Sequence, residues 1–285
     1  MSKKSFILLN GRSIDSSEAV FRTENRAFRY GDALFESMFA SGGSVPLLQD
    51  HFDRLKKSAG LIKMIWPQLL TIEILEKEII RLINKNRIFG GARIRLSLYR
   101  DDGGLYTPES NKANYLIEAE ALSQTSFTLN TAGLKLEIFD LIKKPLNILS
   151  NIKSSSALLY VQAGIYKREN SLDDCFLLNE KGNIIEAISS NVFLVKGKKI
   201  YTPAIDTGCV EGVMRKNVIK IAREAGWQVF DNSLIKQDDL LKADEIFLTN
   251  AISGIMWVLA YKEKRYYKKI SVELLDKMNN EFFSD

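Results

Sequence analysis

The sequence is poor in the residues that several common enzyme chemistries need. Among its 285 residues it has one histidine, His51, and two cysteines, Cys175 and Cys209. A Ser–His or Cys–His triad, an HExxH zinc site or a multi-His metal cage would need more partners than these. We therefore predict no metal site, and any enzymatic proton transfer must be carried by lysine, tyrosine, a carboxylate or a cofactor.

Long apolar runs and paired cysteines are also missing. The N-terminal segment has four consecutive apolar residues, Phe6–Leu9, which are too few for a signal-peptide core or a membrane span. The two cysteines lie far apart without a CxxC spacing, as is typical of buried thiols in a reducing compartment. We expect a cytoplasmic protein that has no membrane partner.

Positive charge is in modest excess. Lys and Arg number 40 against 35 Asp and Glu, which gives a formal charge of +5. Such a surplus is typical of proteins that bind nucleic acid or an anionic substrate. The segment Lys262–Lys269 mixes bases with aromatics, as nucleic-acid binding surfaces do, but we interpret it as a solvated hairpin. We predict no nucleic-acid partner, and nucleic-acid binding is the alternative from a different functional class.

The periodicity of apolar residues changes along the chain. Helical spacing predicts helices at Leu47–Met64 and Leu69–Ile88, and alternation predicts a half-buried strand at Ala92–Tyr99. From Leu129 onward, short strands and tight turns predict an antiparallel sheet. The helices predicted beside that sheet are Ser154–Lys167, Val213–Ala225 and Val272–Phe283. We predict a small α+β domain over residues 1–122 and a larger β-rich domain over residues 127–285.

Two ionisable residues stand alone in neutral segments. Lys153 is the only charged residue between Pro145 and Tyr166, and Glu186 is the only ionisable residue between Gly182 and Val195. A buried lysine becomes neutral more easily, which suits covalent chemistry with carbonyl groups, whereas a surface lysine at a helix start is the plainer interpretation. A buried carboxylate needs a partner, such as a protonated pyridine nitrogen, unless it lies on an edge strand facing water.

Two other segments could bind phosphate. Gly212-Val-Met-Arg215 runs from a loop into a helix, so the amides of Val213 and Met214 would lie at a helix N-terminus. Arg54, in a predicted helix, offers a planar guanidinium that suits a phosphate dianion. A plain loop-to-helix junction and an exposed helical arginine are the alternatives.

Taken in order, these segments resemble the class IV (fold type IV) pyridoxal 5′-phosphate (PLP) enzymes over essentially the whole chain. That family includes branched-chain aminotransferases, D-amino acid aminotransferases and aminodeoxychorismate lyases. The motifs that carry the resemblance are Leu8-Leu-Asn-Gly-Arg12, Arg26-Ala-Phe-Arg-Tyr-Gly-Asp-Ala-Leu-Phe-Glu36, His51-Phe-Asp-Arg-Leu-Lys-Lys-Ser-Ala59, Ile152-Lys153-Ser154, Glu186-Ala-Ile-Ser-Ser-Asn-Val-Phe193, Gly212-Val-Met-Arg215 and Thr249-Asn-Ala-Ile-Ser-Gly254.

The resemblance implies a two-domain α+β enzyme of fold type IV. It has a small α/β N-terminal domain, a larger β-rich pseudo-barrel domain with flanking helices, PLP as cofactor and a homodimeric assembly. The implied catalytic residues are Lys153, which forms a Schiff base, and Glu186, which holds the ring nitrogen. The implied cofactor-binding residues are Arg54, Lys153, Glu186, Val213, Met214, Asn250 and Ala251, and the implied substrate-binding residues are Tyr30, Glu36, Arg95 and Ile252.

The chain departs from the family pattern at two phosphate-binding positions. Met214 and Ala251 stand where relatives usually carry Thr or Ser hydroxyls. Two hydroxyl contacts to a charged group, each worth ~1.5–3 kcal/mol, are therefore missing. A non-catalytic member of the family is the alternative that this departure raises.

The motifs divide between two reactions. Phe35-Glu36 resembles the aminotransferases, which exchange an amino group between an amino acid, with branched-chain amino acids among the candidates, and a 2-keto acid. Thr249-Asn-Ala-Ile-Ser-Gly254 resembles the 4-amino-4-deoxychorismate lyases, which release pyruvate in 4-aminobenzoate and folate synthesis. We predict an aminotransferase, with the lyase as the alternative.

Overall fold

The computed structural model describes residues 5–283, which form two compact units. The first unit contains the described residues up to Ser126 together with Lys153–Ala157, and the second contains Phe127–Ile152 and the described residues from Leu158 onward. The domain boundary that the sequence predicts, between residues 122 and 127, stays a prediction. The structure differs from it in one segment, because Lys153–Ala157 joins the first unit.

A five-stranded antiparallel sheet with three helices makes up the first unit. Its elements are β1 (Phe6–Leu9), β2 (Arg12–Asp15), α1 (Arg26–Tyr30), β3 (Ala33–Ala40), α2 (Leu48–Leu61), α3 (Ile72–Lys85), β4 (Gly91–Arg100) and β5 (Ala113–Leu122). The strand order is β2-β1-β5-β4-β3. Strand β4 alternates as predicted, with Ile94, Leu96 and Leu98 buried on one face.

The second unit contains a nine-stranded mixed sheet with helices beside it. Its elements are β6 (Leu134–Lys144), α4 (Leu158–Glu169), β7 (Asp174–Asn179), β8 (Ile184–Ala187), β9 (Asn191–Lys196), β10 (Lys199–Pro203), α5 (Val213–Glu224), β11 (Gln228–Ser233), α6 (Gln237–Lys242), β12 (Glu245–Asn250), β13 (Gly254–Tyr261), β14 (Lys264–Arg265) and α7 (Lys269–Phe283). The main strand order is β11-β10-β9-β12-β13-β6-β7-β8, with β14 paired to β13.

The expectation of a purely antiparallel sheet is wrong for this unit. Strand β6 pairs in parallel with both β7 and β13, and β10 pairs in parallel with β11. Tight turns indicate antiparallel neighbours only locally, whereas the parallel pairs join strands that are distant in sequence. The central strands β9 and β12 are buried almost throughout, as strands covered on both faces are.

Helix α4 begins later than the sequence predicts. The predicted start is Ser154, but the helix begins at Leu158 because Ser154 and Ser155 pair with backbone atoms of β3. Farther on, Lys262–Lys269 contains the turn and the second strand of the β13–β14 hairpin, in which Tyr261 pairs with Lys264. No helix among residues 5–283 is long and apolar enough to cross a membrane.

Candidate active site

The segment that carries Lys153 extends the first unit beside β3. The Phe35 amide donates to the Lys153 carbonyl at 3.0 Å, and the Ser155 amide donates to the Ala33 carbonyl at 2.9 Å. These backbone bonds fix the main chain at the lysine and at the two residues that follow it. Lys153 is therefore part of an ordered extended segment, rather than the first turn of a helix.

The Phe35 ring brings the lysine and a predicted substrate residue together. Lys153 Nζ lies 4.3 Å from the ring centroid, and the guanidinium carbon of Arg95 lies 4.0 Å from it. Arg95 Nε also donates to Ser97 Oγ at 3.3 Å, and burial lowers the pKa of Arg95 below its usual value. The Phe35 ring thus contacts the side chains of both Lys153 and Arg95.

Glu36, His51 and Arg54 form a buried ionic cluster in the same unit. Arg54 Nε donates to Glu36 Oε1 at 2.8 Å, Arg54 Nη2 contacts Glu36 Oε2, and His51 Nδ1 lies 2.7 Å from Glu36 Oε2. Burial alone would raise the pKa of Glu36, but the Arg54 charge and the His51 hydrogen bond outweigh it and lower the pKa to about 2. Both carboxylate oxygens are thus bound by side chains of α2.

Tyr30 ends α1 in a position fixed by the following glycine. Gly31 has φ +66°, and a Cβ there would lie 3.2 Å from the Ser156 backbone, so only glycine fits without strain. The Tyr30 ring stacks beneath Arg26, whose guanidinium carbon is 5.0 Å from the ring centroid, and contacts the Tyr106 ring at 5.5 Å. The predicted substrate residue is therefore held among side chains of its own unit.

Glu186 is the centre of a second buried cluster, in the second unit. Lys144 Nζ donates to Glu186 Oε1 at 2.6 Å, and the Tyr160 hydroxyl donates to the same oxygen at 2.8 Å. The Val210 amide donates to Glu186 Oε2 at 2.7 Å. Three donors thus occupy both oxygens of the Glu186 carboxylate.

The groups around Glu186 stay protonated. Burial, together with the Glu186 charge, raises the pKa of Tyr160 well above its usual value, so its hydroxyl remains a donor. Burial also raises the pKa of Cys209 to about 11, and the charge of Glu186 adds to the rise. Cys209 is therefore a neutral thiol beside the carboxylate.

The N-terminus of α5 is shaped by a close approach of backbone and side chain. Gly212 precedes the helix, and a Cβ there would lie 1.8 Å from Asn191 Oδ1. No side chain caps this helix end, while Asn191 itself donates to the Val210 carbonyl at 2.9 Å. Val213 and Met214 are buried in the first turn. The backbone amides, rather than the Met214 side chain, are the groups here that suit an anion.

Asn250, Ala251 and Ile252 lie at the turn between β12 and β13. Asn250 Oδ1 accepts from the amides of Ile252 and Ser253 at 3.0 and 2.8 Å, and Asn250 Nδ2 donates to Ser190 Oγ at 3.0 Å. The Asn250 side chain thus closes the turn, and the Ile252 amide, which could have bound a substrate, is already used within the turn.

The residues that the sequence interpretation missed are the partners of the residues it named. Lys144, Tyr160 and the Val210 amide hold Glu186, and His51 holds Glu36. Two of them left a signal: Tyr160 lies seven positions after Lys153 within the helix predicted over Ser154–Lys167, and His51 begins the motif that contains Arg54. In the described part of the chain there is no group of three or more His, Cys, Asp or Glu residues that could hold a metal.

Comparison with known proteins identifies the family. The sequence profile of the amino-transferase class IV family matches residues 33–261, which is most of the chain. The chain belongs to the amino-transferase class IV family. The same assignment was implied by the motifs, and the mixed α+β fold agrees with it.

Relatives within this class IV family carry different activities. The chain is 29% identical over 277 residues to a Methanocaldococcus jannaschii protein named for branched-chain-amino-acid aminotransferase activity, covering 97% of this chain and 94% of that one. It is 30% identical over 270 residues to the aminodeoxychorismate lyase of Bacillus subtilis, covering 91% and 88%. An aminotransferase from Brucella abortus, crystallised with the cofactor PLP, shares its fold at a TM-score of 0.86, with 20% identity and 98% and 99% coverage.

Proposed function

We propose that this class IV family member is a PLP-dependent aminotransferase that moves an amino group between an amino acid and a 2-keto acid. The observation that carries the proposal is that the Lys153 amine and the Arg95 guanidinium both lie against the Phe35 ring, 4.3 and 4.0 Å from its centroid. An amino-acid substrate needs both an amine that handles its nitrogen and Cα proton and a cation that binds its carboxylate.

The described residues fit PLP. Glu186 is a buried carboxylate held by three hydrogen-bond donors, and a carboxylate at this place suits a protonated pyridine nitrogen. Helix α5 begins without a side-chain cap, which suits a phosphate group, and Arg54 is a second phosphate ligand that we propose. When bound, PLP supplies an aldehyde for the amine and a ring that accepts electrons from the substrate Cα.

The residues of this chain would divide the work as follows. Lys153 Nζ binds the cofactor and moves the proton of the substrate Cα, and Arg95 orients the substrate carboxylate beside it. Glu186 holds the proton on the ring nitrogen. Because Tyr160 and Cys209 keep their own protons, neither competes for it. The tilted Tyr30 ring borders the substrate in this proposal.

Four predicted site residues receive different roles. The sequence predicts that Glu36 binds substrate, but its oxygens are bound by Arg54 and His51, so we propose that it fixes Arg54 for the phosphate. The Ile252 amide donates to Asn250 Oδ1 within the turn. We therefore propose that Asn250, Ala251 and Ile252 shape the loop beside the phosphate.

Aminodeoxychorismate lyase activity is the second candidate. It is supported by the B. subtilis relative, which is 30% identical over 91% of this chain. The segment Thr249-Asn-Ala-Ile-Ser-Gly254, which resembles the lyases more than the branched-chain enzymes, also supports it. Both reactions would use the same lysine and the same ring.

The first experiment tests the cofactor. Protein reconstituted with PLP is reduced with borohydride and mapped by peptide mass spectrometry, and we expect the label on Lys153. Lys153→Ala should remove the label, whereas Lys143→Ala, which changes an exposed lysine, should keep it. A label on another lysine of the wild-type protein would refute the assignment.

The second experiment separates the two reactions. The wild-type holoenzyme is incubated with a panel of L- and D-amino acids and 2-oxoglutarate, and separately with aminodeoxychorismate. We expect keto-acid formation from an amino donor. Pyruvate and 4-aminobenzoate from aminodeoxychorismate, without amino transfer, would favour the lyase.

We also propose a homodimer. Large apolar residues are exposed along one stretch of the second unit, including Leu141 at 75% and Leu158 at 72%, together with Ile148, Leu149 and Val161. An apolar surface of this kind is typical of an association site. Sedimentation equilibrium should give twice the chain mass of 32.3 kDa.

The two free, buried cysteines support a cytoplasmic location in this proposal.

A further inference from the structure

Lys144 is buried by an irregularity in β6 that is part of the fold. The pairing of β6 with β7 runs from Leu136 to Phe139, shifts its register, and resumes at Lys144 opposite Asn179. The shift turns Lys144 inward, whereas its neighbour Lys143 is exposed. A buried lysine is uncommon unless it is paired, and this one is paired to Glu186.

The acceptor sites of Glu186 are nearly filled by its own unit. An ionised carboxylate has about four lone-pair sites. Lys144 and Tyr160 donate to Oε1, and the Val210 amide donates to Oε2. Oε2 therefore has one acceptor site left for a ring nitrogen, and Oε1 serves as the anchor.

The anchor is also charged. Lys144 Nζ lies 2.6 Å from Glu186 Oε1 and 5.6 Å from the centroid of the Tyr160 ring. Tyr160 is a neutral donor, and Cys209 is a neutral thiol. Arg215, which acts on Cys209, donates to the carbonyls of Pro203 and Asp231. Lys144 is thus the cation in direct contact with the carboxylate.

We propose that Lys144 is a positioning residue that fixes the Glu186 carboxylate and offsets its negative charge, and thereby sets how firmly the PLP ring nitrogen holds its proton. This inference rests on the proposed PLP function. A carboxylate without Lys144 would attract the ring proton more strongly, and the bound cofactor would release protons only at higher pH.

The test is a spectroscopic pH titration of PLP bound to four proteins: wild type, Lys144→Met, Lys144→Arg and Lys143→Met. We expect the apparent pKa of the cofactor absorption band to rise by ~1 unit in Lys144→Met, the usual effect of deleting a cation a few ångströms away. Lys144→Arg keeps the charge and should titrate as wild type does. Lys143→Met is the matched control and should also leave the band unchanged.

Thermal unfolding of the same proteins without PLP separates positioning from mere structure. If Lys144 were purely structural, Lys144→Met would melt at a lower temperature than wild type, but the pKa of its cofactor band would stay within about 0.2 units of the wild-type value, one fifth of the expected shift. That result would overturn the inference. If Lys144→Met does not accumulate, Lys144→Gln keeps a donor to Glu186 and removes only the charge, so it must show the same rise.

Failure of the underlying function is distinguishable. A wild-type protein that forms no cofactor band, or that is reduced onto a lysine other than Lys153, would overturn the proposed function and this inference with it. A normal wild-type band with no difference between Lys144→Met and Lys143→Met would overturn the role of Lys144 alone.

Discussion

Replacing Glu186 with Gln should destabilise the second unit before any cofactor is bound. Gln conserves the shape of Glu, so shape alone predicts a tolerated change. The contacts predict otherwise. Glu186 accepts from Lys144 and Tyr160 on one oxygen and from the Val210 amide on the other, whereas Gln has only one oxygen. In either orientation the Gln amide NH₂ faces a donor, and Lys144 loses its counter-charge.

The magnitude follows from the ion pair. At the 2.6 Å between Lys144 Nζ and Glu186 Oε1, the Coulomb attraction at an effective dielectric constant of ~20 is about 6 kcal/mol, before desolvation is subtracted. Removing one partner of a buried pair costs ~3–5 kcal/mol. At ~2–4 °C per kcal/mol, the melting temperature should fall by roughly 6–20 °C.

The assay is circular dichroism melting of the protein without PLP, with two comparison variants. Glu224→Gln breaks an exposed ion pair with Lys220 in the same unit and should leave the midpoint nearly unchanged, because exposed pairs contribute little. The double variant Glu186→Gln with Lys144→Met removes the unpaired cation and should recover much of the loss. If Glu186→Gln melted at the same temperature as Glu224→Gln, the buried ion pair would contribute no stability and the reasoning would be refuted.

Three other changes have defined outcomes. Arg54→Ala should weaken PLP binding, measured by fluorescence titration, because Met214 and Ala251 offer no hydroxyl to share the phosphate; unchanged affinity would contradict the phosphate role. The pKa of Glu36 is lowered from 4.5 to about 2, so its ionised form stabilises the fold above pH ~4.5, and this contribution is lost as pH falls toward 2. In acid denaturation, wild type should therefore lose stability between pH ~4.5 and 2. Glu36→Gln should not show that part of the loss. Cys209, with its pKa raised to about 11, should react with a thiol reagent in the native protein far more slowly than in urea, and equal rates would show that it is exposed.

The sequence by itself determined the family, the chemistry and much of the secondary structure. Lys153 and Glu186 stood out because each is isolated among neutral residues. Periodicity placed β4 and the helices α2, α3 and α5, since local burial patterns repeat with the geometry of the element. Each of these signals lies within a short window of sequence.

Only the tertiary structure decided which groups surround those residues. Glu186 and Lys144 are 42 positions apart, and the burial of Lys144 depends on a register shift in β6 that breaks the alternation of the strand. The start of α4 was displaced for a similar reason, because the backbone of Lys153 and Ser155 bonds to β3 and does not enter the helix. Pairing between distant segments leaves no period in the local sequence. The apolar pattern therefore cannot predict side-chain partners, parallel strand pairs or the contact between Glu36 and Arg54, which depend on tertiary packing.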